Sequence, residues 1–182
     1  ITANAVLLTA PVPQSLALLD AGGVALEASM REQLEAVEYE PCMAVMAVLN
    51  GESNIPQPGF IRFDSGPVAW IADNQAKGIS AVSAVTIHAT PAFSLEHQDD
   101  DRQKVGQYLL EVAAPWLGSE TAEFQIHAWR YARPRHEQDH PCLILNQSPS
   151  LLVAGDAFGG PRVEGAALSG WAAADALKEL QP

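Results

Sequence analysis

The segment SLLVAGDAFGGPRVEGAALSGWAAADAL constrains the fold of this chain more than any other stretch. Residues 151–154 are a continuous apolar run without alternation, the pattern of a strand buried on both faces, and such strands belong to layered α/β architectures. The run stops at Gly155-Asp156, and a glycine turn, Gly159-Gly160-Pro161, leads into a helix expected over residues 162–180. That helix is rich in small residues (Gly165, Ala166, Ala167, Gly170, Ala173, Ala174), which allow close packing on a sheet. Its N-terminus presents unpaired N–H groups and a partial positive charge, suited to an anionic or electron-rich ligand. Asp156, at the C-terminal edge of a strand, stands where open α/β sheets place ligand-binding groups. Local physics leaves two readings open here: a ligand site, or an ordinary well-packed terminal helix with a turn before it.

The rest of the chain supplies a mixed set of elements. Residues 6–9 form an apolar strand, followed by a short helix around Leu16, Leu18 and Leu19 that Gly22-Gly23 stops. Leu26, Met30, Leu34 and Val37 recur at helical spacing and end before Pro41. Strands are expected over residues 42–50, 60–63, 68–72 and 84–90, the middle two as an antiparallel hairpin around Asp64-Ser65-Gly66-Pro67. Asp99-Asp100-Asp101 suits the positive end of a helix carried by Val105, Leu109, Val112 and Trp116 and stopped at Gly118. TAEFQIHAWRYA then alternates as a strand, which puts His127, Trp129 and Tyr131 on one side. This order gives an α+β fold: a mixed, largely antiparallel sheet with helices, closed by a strand and a helix.

Composition narrows function. Ten Lys and Arg against 22 Asp and Glu give a net charge of −12, which opposes binding to phosphate backbones and anionic lipid surfaces. No apolar run approaches the ~18 residues a membrane span needs. Nucleic-acid and membrane partners are therefore not expected. Two cysteines, Cys42 and Cys142, fit a reducing compartment, and a cytoplasmic location is expected. The chain opens at Ile1 and runs almost at once into an interior-type strand, as expected of a piece cut from something larger.

His136-Glu137-Gln138-Asp139-His140 matches the HExxH zinc signature letter for letter. Zinc binding through this motif needs a helix, because only i,i+4 spacing on one face aims both imidazoles at one ion. Pro134 and Pro141 bracket the segment and no apolar stripe seats a helix. A solvated loop is expected, with no metal, and a zinc peptidase is set aside.

Four collinear stretches together resemble the renalase-like branch of the FAD-dependent amine oxidase superfamily. The Gly155-Asp156 segment resembles its C-terminal flavin-binding motif, AVLLTAP its A-x-P strand, VTIHATPAF its IHTT-x-F strand, and IHAWRYA its H-x-W-R-Y strand. The resemblance implies FAD as cofactor, with Asp156 and Gly155 at the ribityl chain and Arg162, Val163, Glu164 and Gly165 near the flavin pyrimidine edge. It implies that His127 and Tyr131 line the cavity of a small-molecule substrate, with His127 equally readable as a strand histidine bonded to a neighbour. It implies oxidation of dihydronicotinamide isomers or amines with O2 as acceptor. On this reading residues 1–20 re-enter the FAD domain, residues 21–149 form the substrate domain, and residues 150–182 close the flavin site. The glycine-rich pyrophosphate turn expected of such enzymes is missing, since Gly22-Gly23 follows a helix and no Gly-x-Gly-x-x-Gly occurs. An N-terminal FAD-binding half is thus the implied partner, and the chain alone is expected to be inactive. The rival is a non-catalytic ligand-binding or interaction domain.

Overall fold

The computed structural model describes residues 2–180. By compactness the chain divides into two units, one running up to Glu40 and resuming at Arg133, the other spanning Pro41–Ala132.

In the first unit, β1 (Ala5–Leu8), β7 (Leu143–Gln147) and β8 (Ser150–Val153) form a sheet of order β1-β8-β7. β1 runs parallel to β8, with Leu8 opposite Val153, and β7 runs antiparallel to β8. Helices α1 (Val12–Ala21) and α2 (Ala28–Glu35) and the short α5 (Asp156–Gly159) accompany the long α6 (Val163–Leu180). After Ser150, β8 is apolar because both of its faces are covered. Val153 packs with Val12, Leu16, Leu34 and Phe158, while Leu152 and Ala154 pack with Ala173 of α6. Burying side chains of this size contributes about 1.5–3 kcal/mol each.

In the second unit, β2 (Tyr39–Leu49), β3 (Phe60–Arg62), β4 (Val68–Asp73), β5 (Ala84–Ala89) and β6 (Thr121–Pro134) form a sheet of order β3-β4-β5-β2-β6. β3, β4, β5 and β2 pair antiparallel in that order. Ile71, Ile87 and Val45 sit opposite one another across three strands and are fully buried. With Val105, Leu109 and Ala113 of α4 (Arg102–Leu117) they make the core of this unit. The acidic cluster does cap that helix: the Asp101 carboxylate accepts from Lys104 N at 3.0 Å. At the other end Gly118 takes φ +73, a left-handed stop that glycine adopts without strain.

The α+β organisation and the largely antiparallel sheet agree with the sequence. Two short helices were not expected: α3 (Pro91–Glu96), where Thr90 Oγ1 accepts from Phe93 N, and α5. Residues 21–40 and 133–149 belong to the first unit, because Leu34, Val37, Leu143 and Leu145 pack into its core.

Candidate functional site

At the C-terminal ends of the parallel pair β1 and β8, a cleft of about 530 Å³ opens in the first unit. Thr9 and Pro11 line it from β1 and the turn after it, Ala154, Gly155 and Asp156 from the end of β8, and Arg162, Val163, Ala166 and Gly170 from the turn before α6 and its first turns. Two buried serines fix the turns at its floor. Ser15 donates to Ala10 O at 3.1 Å, and Ser169 accepts from Gly155 N at 2.9 Å while donating to Pro141 O at 2.6 Å. Gly155 has φ +150, a conformation open to glycine and costly for other residues.

Asp156 is half-buried. Burial pushes its carboxyl above the usual range, against the backbone N–H groups of Ala157 and of Asp156 itself, which pull it down. Among the described residues it forms no ion pair. A carboxylate so placed is suited to accept hydrogen bonds from a neutral hydroxyl-bearing ligand. Tyr39 stands near, its phenol pushed up first by burial and further by the Asp156 charge, and its oxygen accepts from Val12 N at 3.3 Å.

Of the six residues expected to hold cofactor, Gly155, Asp156, Arg162 and Val163 line this one cleft. Val163 is 90% exposed. Glu164 is exposed but is not part of the lining. Gly165 is buried against α5: a Cβ there would overlap the carbonyl oxygens of Gly159 and Gly160. Its place is to let two backbones touch, which in turn sets the Gly160–Arg162 corner. The sequence reading did not single out Thr9, Ser15 or Ser169 for this site. The A-x-P ending of β1 was the available sign for Thr9; a serine's inward aim leaves none.

His127 and Tyr131 lie in the second unit, on β6. Phe124, Ile126 and Ala128 pack on the core cluster, so the alternation turns His127 and Trp129 to the sheet's other face. Their rings are 4.2 Å apart and Trp129 is 55% exposed, so Trp129 is not a core residue. Tyr131 is half-buried two residues further along. The same open face carries His88, half-buried, with its ring 5.1 Å from Trp70. Burial holds His88 below its usual range, helped by the charge of Lys77.

His136–His140 form bends, not a helix, so the zinc signature lacks the geometry it requires. Among the described residues no group of three or more His, Cys, Asp or Glu is placed to hold a metal. No helix among them is long and apolar enough to cross a membrane.

No family model matches the chain. Renalase of Mus musculus is 29% identical over 164 residues, covering 84% of this chain and 48% of renalase. Among solved structures, a candidate protoporphyrinogen oxidase from Exiguobacterium sp. 255-15 superposes with a TM-score of 0.64 at 16% identity, over 97% of this chain and 42% of its own. An oxidoreductase from Methanosarcina mazei gives 0.58 at 16% identity, over 96% and 43%. The chain therefore spans about half the length of the curated relative it matches. In sequence it is similar to renalase, and in structure it shares the fold of these two solved proteins.

Proposed function

We propose that this chain is the C-terminal, substrate-domain portion of an FAD-dependent oxidoreductase that oxidises dihydronicotinamide isomers or amines, with O2 as acceptor. The observation that carries the reading is the cleft at the ends of β1 and β8, where a half-buried carboxylate, a positive-φ glycine and the open start of α6 meet. Asp156 would accept from the ribityl hydroxyls, with Gly155 allowing close approach. Arg162 and Val163 would lie at the pyrimidine edge, and Glu164 and Gly165 would hold the turn that presents them. When bound, FAD accepts hydride from the donor and returns the electron pair to O2.

The protein's own part is to hold and orient. The first unit would belong to the FAD domain, and the second would supply the substrate domain, with His127 and Tyr131 on the donor's side. The adenine end of FAD requires a glycine-rich strand-turn-helix, which we assign to an N-terminal half. The unpaired thiols of Cys42 and Cys142 support a cytoplasmic setting.

The test joins this chain to that N-terminal half and reads flavin absorbance. A yellow protein, bleached anaerobically by a dihydronicotinamide isomer or an amine and losing flavin in Asp156→Ala, is the expected result. A colourless protein would overturn the reading in favour of a non-catalytic binding domain.

A further inference from the structure

The part of the five-stranded sheet's outer face that β3, β4 and β5 make has a charge that the rest of the chain does not lead one to expect, with the carboxylates of Glu40 and Glu123 further off on β2 and β6. Acidic residues outnumber basic ones by 22 to 10, so an average patch is acidic. Across β3, β4, β5 and β2, Arg62, Trp70, His88 and Ala44 stand opposite one another in one row, and Phe60, Ala72 and Thr86 in the next. None of these side chains is a carboxylate, and Arg62 forms no ion pair among the described residues. Lys77, from the turn after β4, places its Nζ 5.2 Å from the centre of the Trp70 ring. Phe60 and His88 flank that ring at 6.4 and 5.1 Å. The result is a floor of three aromatic rings with a cation at its rim.

We propose that Lys77, held over Trp70, is a specificity-determining residue that selects a donor combining a planar ring with an anionic group. The Lys77 ammonium can swing from the Trp70 face to pair with a carboxylate or phosphate, and the face it leaves, flanked by Phe60 and His88, then receives a ring. A donor bearing an ammonium meets the opposite situation. It competes with Lys77 for the same electron-rich face of Trp70 and is repelled by both Lys77 and Arg62. This inference rests on the reading that the outer face of the second unit receives the donor.

The test is calorimetric titration of this chain joined to its N-terminal half, its flavin content recorded by absorbance, with indole-3-acetate and with its uncharged isostere indole-3-acetamide. The acid is expected to bind about tenfold more tightly than the amide, the gain of one charge-assisted contact at a partly exposed site. Lys77→Gln should bring the ratio close to one, and Lys77→Arg should restore it. An acid-to-amide ratio untouched by Lys77→Gln, equal binding of the two by the unmodified protein, or no binding of either would overturn the proposal. The flavin record separates the two readings. A colourless protein that keeps the Lys77-dependent ratio sinks the flavoenzyme reading alone, and a yellow one with a Lys77-independent ratio sinks this subsite alone.

Discussion

Asp156 sits in surroundings that disfavour its own charge, and that makes it a probe of its site. Burial raises its folded-state pKa above the unfolded value. A carboxyl shifted in that direction costs the ligand-free protein nothing below the unfolded pKa, and the cost grows as pH rises through the folded one. Asp156→Asn removes the charge and keeps the shape. Thermal melts of the ligand-free proteins should coincide near pH 3 and diverge in favour of the variant by about pH 7, although the variant holds flavin less well. A variant that is less stable than its parent at neutral pH would show that the carboxylate is needed by the fold and not by a ligand. At this scale the sequence was legible where a residue type carries chemistry by itself: an aspartate at a strand end, a glycine beside it. It was silent on Ser15 and Ser169, because a serine's inward aim depends on which carbonyl the packing brings to it.

Helix α6 shows what is lost between a pattern and a packing. Its run of small residues reads plainly as a helix made for close approach. Which glycine does the approaching cannot be read, since the partner is α5, whose four residues are too few to show periodicity. The same shortness hid α3, although Thr90 followed by Pro91 is a cap and a first helical residue. Two substitutions on one helix separate the roles. At Gly165 a methyl group meets the backbone of Gly159 and Gly160, which cannot swing aside, whereas at Gly170 nothing lies within 4 Å. Gly165→Ala should therefore lose about 1–3 kcal/mol in urea unfolding. Gly170→Ala should gain up to about 1 kcal/mol, the helix preference for alanine over glycine. Equal effects at the two sites would mean that α5 yields, and that the Gly160–Arg162 corner is not set by this contact.

For the whole molecule, the amphipathic spacing of Leu26, Met30, Leu34 and Val37 announces an apolar face but not which core receives it. Leu34 and Val37 join Val12, Leu16 and Val153, and with them residues up to Glu40 fall in the first unit. Assignments of this kind depend on contacts far apart in the chain, which local pattern does not encode. Net charge, by contrast, is a property of this chain that its sequence gives without any knowledge of contacts, and it bears on the proposed cofactor. A chain of charge −12 repels the diphosphate of FAD but has no such effect on uncharged riboflavin. Screening shortens the reach of that field from about 30 Å at 0.01 M salt to about 8 Å at 0.15 M. Stopped-flow capture of FAD by the ligand-free protein should accordingly quicken several-fold across that range, while riboflavin capture stays constant. An FAD rate that falls with salt would mean that local cations such as Arg162, at the mouth of the cleft, outweigh the field of the whole chain, and steering would then have to be argued from the cleft alone.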